Sequence, residues 1–127
     1  MTKFYFRGAA AAILVYSIDS KRSFDSLPDW LASILSMSKE SMPIALLGNK
    51  KDLECVRQVS SAEAQSFVLT HSLHCSYEVS ALTGENVETA LCSLVRRAME
   101  LRISEPMLHT ISLSSSQQRV RKRPACC

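Results

Sequence analysis

The chain has 127 residues, enough for one domain and too few for two. Its apolar fraction of 46% is ordinary for a globular protein, and the net charge of +3 comes largely from Arg119, Arg121, Lys122 and Arg123 near one end, so no distributed basic face suggests a nucleic-acid groove. Apolar runs fall short of the roughly 18 residues that span a bilayer.

Lys3 and Arg7, followed by Gly8 to Val15, have the form of a short signal peptide. A buried strand explains the same residues and is preferred. Ala10 to Ile18 is a continuous apolar run ending in β-branched and aromatic residues, which predicts a strand covered on both faces. Asp19 to Ser26 reads as a polar turn. Pro28 then suits a helix first turn, and Trp30, Leu31, Ile34 and Leu35 repeat at helical spacing, with Trp30 read as helix packing. Met42-Pro43 ends that segment, and Ile44 to Leu47 is a second buried strand.

Ser60-Ser61-Ala62-Glu63 has the pattern of a capping box, predicting a helix to about Thr70. Leu73 to Val79 is a third strand. After Gly84, the residues Val87, Ala90, Leu91, Leu94, Val95, Ala98 and Leu101 form the clearest amphipathic helix. From Ser104 the periodicity stops, and the serine-rich stretch Ser112 to Gln118 has too little apolar surface to offset ordering entropy, so residues 104–127 are expected to be a disordered tail. Met37, Met42, Met99 and Met107 share no spacing and read as filling. The five cysteines, at positions 55, 75, 92, 126 and 127, follow no framework; three sit in apolar patterns typical of buried free thiols, which suggests a reducing compartment. His71, His74 and Cys75 lack nearby further ligands, so no metal centre is expected.

Strand and helix alternate three times, which implies an α/β fold with a three-stranded parallel sheet, right-handed crossovers and a ligand beyond the carboxyl ends of the strands. Asn49-Lys50-Lys51-Asp52 and Ser80-Ala81-Leu82 stand at two such ends. Together they read as a guanine pocket. Asn49 would meet N7 and O6, and Asp52 would accept from N1–H and the exocyclic amine. Adenine reverses that donor and acceptor pattern, leaving buried groups unpaired at about 1–3 kcal/mol each. The Lys50 stem would lie along the base. Ser80 would hold Asp52, the Ala81 N–H would donate to O6, and Lys51 reads as solvated.

On these residues the sequence resembles the small GTPases of the Rab branch of the Ras superfamily. Tyr5-Phe6-Arg7-Gly8-Ala9 resembles the Rab hallmark Tyr-Tyr-Arg-Gly-Ala, and Leu14-Val15-Tyr16-Ser17-Ile18-Asp19 the hallmark strand Leu-Val-Tyr-Asp-Ile-Thr. Gly48 to Leu53 is similar to the family's base motif, and Ser80 to Glu88 to the matching loop of Rabs from early and recycling endosomes. Leu82 replaces the commoner lysine, so an apolar side chain would pack one face of the base. A phosphate loop needs Gly-x-x-x-x-Gly-Lys-Ser or Thr, and the three glycines, at 8, 48 and 84, do not supply it. The magnesium-binding threonine of the first switch and the Asp-x-x-Gly of the second are also missing.

The resemblance therefore implies that residues 1–103 are the C-terminal half of a P-loop NTPase (Ras-like) domain. They would bind GTP or GDP through base contacts only, at about millimolar affinity or weaker, with no Mg²⁺ site and no GTP hydrolysis by the chain itself. The strand that the family pairs with Ala10 to Ile18 is missing, which predicts an open apolar edge and marginal stability. Cys126-Cys127 resembles the double-cysteine terminus that carries two geranylgeranyl groups, implying anchorage to the cytosolic face of endosomal or other vesicle membranes in membrane trafficking, with the basic cluster assisting. Escort and prenylation proteins and effectors would be its partners, and no nucleic acid. Three other readings stay open: a nucleotide-independent module that competes for Rab partners, a fragment without its own function, and a frayed terminus with unmodified thiols.

Overall fold

Residues 8–38 and 41–104 are described by a computed structural model of the chain. The hallmark residues 5–7, the serine-rich stretch, the basic cluster and Cys126-Cys127 lie outside the described residues. Strands β1 (Ala12–Ser17), β2 (Ile44–Asn49) and β3 (Cys75–Glu78) are parallel and lie in the order β1-β2-β3. Helices α1 (Lys21–Asp25), α2 (Leu27–Met37), α3 (Ser61–His71) and α4 (Val87–Ser104) surround them, with a 3-10 helix over Lys51–Val56.

Strand alternation divides the core in two. Leu14 and Tyr16 of β1 with Ile44 and Leu46 of β2 face α2 and α3, where Leu27, Leu31, Ile34, Ala64 and Phe67 complete a buried cluster. On the opposite face Leu47, Val79 and Ala90 pack together under α4, with Tyr77 and Val87 at the margin. Central β2 is buried from Ile44 to Gly48, as a strand covered on both faces must be.

β1 departs from that expectation. Ile13 and Val15, which share the sheet face of Ala45 and Leu47, are exposed, because α4 packs over β2 and β3 and stops short of β1. The segment after β1 also differs. Instead of a polar turn, Lys21–Asp25 is a short helix, started by Ser20, whose hydroxyl accepts from the Ser23 N–H. Helix α2 follows separately with Pro28 in its first turn, so the described residues hold four α-helices where the periodicity shows three. Trp30 is half exposed while its neighbours Leu31 and Ile34 are buried.

α3 opens with the expected capping box: Ser60 Oγ accepts from the Glu63 N–H at 3.2 Å, and Glu63 returns the contact by accepting from the Ser60 N–H at 2.8 Å. Ser60→Ala should lower stability by about 1 kcal/mol, read as a lower urea midpoint at unchanged slope. The cysteines correct another expectation, since Cys55 and Cys92 are exposed and Cys75 is half-buried. Cys55 sits in the polar 3-10 helix and Cys92 on the solvent side of α4, so an apolar neighbourhood in sequence did not become one in space.

Tyr16 is nearly fully buried, and its ring meets Phe24 edge-on at 5.1 Å. Burial, reinforced by the Glu78 carboxylate, pushes its hydroxyl pKa from 10.0 up to about 12. A folded value above the unfolded one means that this contribution to stability is complete below pH 10 and is lost as pH rises towards 12. Unfolding free energy should therefore fall through that interval, and Tyr16→Phe should flatten this part of the curve.

Candidate functional site

The carboxyl ends of the strands carry three loops, and their side chains meet above the sheet. Asn49 is the last residue of β2, and Ser80 follows β3 by two residues. The segments are joined through backbone first: the Lys51 N–H donates to the Val79 carbonyl at 3.0 Å, and the Val79 N–H donates to the Gly48 carbonyl at 2.8 Å. Ser80 is completely buried at this junction.

Side chains complete the joint. Ser80 Oγ–H donates to Asp52 Oδ1 at 2.6 Å and accepts from the Thr83 N–H at 3.2 Å. The Ala81 N–H donates to Asn49 Oδ1 at 3.0 Å. That second bond, which the sequence reading does not include, orients Asn49. Since Asn49 accepts through its oxygen, its NH₂ is the group left to face outward. Neither that NH₂ nor the second oxygen of Asp52 has a partner among the described residues. One amide donor and one carboxylate acceptor are thus left over at this junction.

The two lysines divide between the flanking loops. Lys50 has φ of 64° and ψ of 38°, left-handed backbone that is uncommon for a residue with a Cβ. Its Nζ lies 3.8 Å from Asp19 Oδ2, in the loop after β1. The Asp19 carboxyl is held below its usual pKa chiefly by the Ser17 hydroxyl, which donates to it, and further by Lys50. Lys51, expected to be solvated, instead pairs with Glu85 Oε1 at 2.6 Å and spans to the loop after β3. That bond raises the Lys51 pKa.

Asp19 and Glu85 were not named as site residues from sequence. The rule that ligands gather beyond strand carboxyl ends would have found Asp19, two residues past β1. Leu82 lies in the third loop and is 83% exposed. Of the residues weighed above as ligands, His71 rests on the Phe67 ring at 4.4 Å, and Cys75 Sγ accepts from the Ser93 hydroxyl at 4.0 Å.

A family model described as "Ras family" matches residues 1–100. Ras-related protein Rab-4A of Danio rerio is 41% identical over 99 residues, covering 78% of this chain and 46% of its own. Ras-related protein Rab-4B of Homo sapiens is 43% identical over 96 residues, covering 76% and 45%. GTP-binding protein ypt4 of Schizosaccharomyces pombe is 42% identical over 91 residues, covering 72% and 39%. The chain thus spans under half the length of the curated relatives it matches. A parallel sheet with two joined loops at its carboxyl ends, and a family match over most of its length, place the chain in the Ras family, among its Rab GTPases.

Proposed function

We propose that the described residues form the guanine-recognition part of a Rab-type GTPase, holding the base of GTP or GDP at Asn49, Lys50, Asp52, Ser80, Ala81 and Leu82. The observation that carries this reading is the Asp52–Ser80 bond at 2.6 Å beside the Asn49–Ala81 bond at 3.0 Å. Each bond uses one atom of a two-headed side chain and leaves the other aimed outward. An amide NH₂ suits the N7 and O6 acceptors of guanine, and a carboxylate oxygen suits its N1–H and exocyclic amine. The Lys50 stem and the exposed Leu82 would then cover the faces of the ring.

The chemistry at the phosphates is a separate matter. Three glycines, at 8, 48 and 84, do not make a phosphate loop, so this chain alone binds nucleotide weakly, without a Mg²⁺ site of its own, and does not hydrolyse GTP. Prenyl groups on Cys126 and Cys127 would anchor it to the cytosolic face of endosomal membranes, where trafficking effectors and the escort machinery would meet it. Cys126→Ser with Cys127→Ser should move the protein from the membrane fraction to the soluble one.

Thermal unfolding with millimolar GDP and Mg²⁺, against ADP at the same concentration, tests the base site. GDP should raise the midpoint, by the equivalent of about 0.4 kcal/mol where its concentration equals its dissociation constant, and ADP should not. Equal response to both nucleotides, or to neither, defeats the reading.

A further inference from the structure

The loops 18–20, 50–60 and 79–86, with Glu78 at the end of β3, hold three cations, and each already has a carboxylate beside it. Lys50 lies 3.8 Å from Asp19, Lys51 holds Glu85 at 2.6 Å, and Arg57 bridges Glu54 at 2.7 Å and Glu78 at 2.6 Å. The Arg57 guanidinium also donates to the Val59 carbonyl at 2.9 Å, so little of it is left for a ligand. Carboxylates outnumber cations here. Asp19, Glu54, Glu78 and Glu85 match the three positive charges with one negative charge to spare, and Asp52 adds another. Asp52 is held by the Ser80 hydroxyl, an uncharged partner that leaves its charge uncancelled.

The position of that excess bears on anything attached to a base. β2 is the central strand of the three, so the loop from Asn49 to Asp52 stands between the other two loops. A substituent leaving a base held by this loop passes the loop after β1 or the loop after β3. Each presents a carboxylate, Asp19 on one side and Glu85 on the other, and each carboxylate occupies the nearer lysine. Asp19 also departs from the hallmark strand, which has a neutral threonine at its place. Here Ser17 and Asp19 exchange hydroxyl and carboxylate relative to that strand, which moves the charge two residues towards the site.

We infer that the base site, on the reading given under Proposed function, selects uncharged guanine ligands such as the nucleoside over phosphorylated ones. Asp19 and Glu85 are the residues that set this preference, by occupying the two lysines that a phosphate would use. A phosphate entering beside the base has to break one of those pairs or sit next to carboxylates that nothing neutralises. Each phosphate adds about one to two negative charges. Two unit charges about 8 Å apart change affinity about twofold in water, so a diphosphate loses about threefold or more against the nucleoside at low salt. The net charge of the whole chain, +3, pulls the other way and would favour GDP. A preference for the nucleoside is therefore a signature of these loops and not of overall charge.

The test titrates the isotope-labelled full chain with guanosine, GMP and GDP, without Mg²⁺, following the NMR shifts of the Asn49 side-chain amide and the Ala81 N–H. At about 20 mM salt guanosine should bind most tightly and GDP least, with a span of about threefold or more. The span should close at about 1 M salt, where the Debye length is about 3 Å. Asp19→Asn keeps an oxygen for the Ser17 hydroxyl and frees Lys50, and Glu85→Gln frees Lys51. Each should raise the affinity for GDP relative to guanosine about twofold or more. Glu100→Gln, about 20 Å along α4 from its first residue, should leave that ratio unchanged. If GDP equals or exceeds guanosine at low salt, or if the ratio ignores salt and both loop substitutions, the inference falls and the base site stands. If no guanine ligand moves the Asn49 amide, the base site itself falls and the inference with it. Should a variant disturb folding, the salt series on the unaltered chain decides.

Discussion

Gly48→Ala should destabilise the chain by about 2–3 kcal/mol, near the upper range for overpacking a core. A Cβ built at Gly48 would lie 2.6 Å from Tyr16 Oη and 2.8 Å from its Cζ, with Ile18 Cγ2 at 3.2 Å. None of these atoms yields easily. The Tyr16 ring is fixed against Phe24 and nearly fully buried, and Ile18 is 0% exposed. Relief would require β2 to move away from β1, and the next residue along β2 is Asn49. The same variant should therefore lose the response to GDP along with stability. A urea titration measures the first effect. Tyr16→Leu in the Gly48→Ala background should restore part of the loss, because the two changes meet at one contact and do not add. Full additivity would show that the cost arises elsewhere.

Asp52→Ala should abolish the guanine-dependent rise in melting temperature and also lower stability by about 1–3 kcal/mol, since the fully buried Ser80 hydroxyl loses its acceptor. Two roles are mixed in that variant, and Asp52→Asn separates them. The amide keeps an oxygen for Ser80, so stability should stay near wild type. Its other head becomes an N–H donor facing the donors of guanine, so GDP should still cause no shift. If Asp52→Asn responds to GDP like the wild type, Asp52 does not read the base. The comparison uses calorimetry of three proteins with and without nucleotide.

Strands β1 and β2 were legible because each is a short apolar run between turn signals, and α3 because Ser60 and Glu63 announce its start. What sequence obscured depends on partners distant along the chain. Val15 reads as buried because its neighbours are apolar, yet its fate is set by how far α4 reaches across the sheet. Helix α1 was hidden by polar composition: Lys21 to Asp25 shows no apolar period, and the helix rests on the Ser20 cap together with Phe24, packed between Tyr16 and Phe67. In the site, Asn49, Asp52 and Ser80 could be named because residue type and strand ends agreed. The bond from the Ala81 amide to Asn49 could not, since the two lie 32 residues apart. Lys51 shows the same limit, because its partner Glu85 is 34 residues away.

At the left-handed turn of Lys50, consecutive ammonium groups reach two different loops, one to Asp19 and the next to Glu85. The middle loop is thereby guyed from both sides, like a mast between two stays. Slackening either stay by salt would let the mast lean towards the other, so screening should displace the loop sideways before it loosens the sheet below.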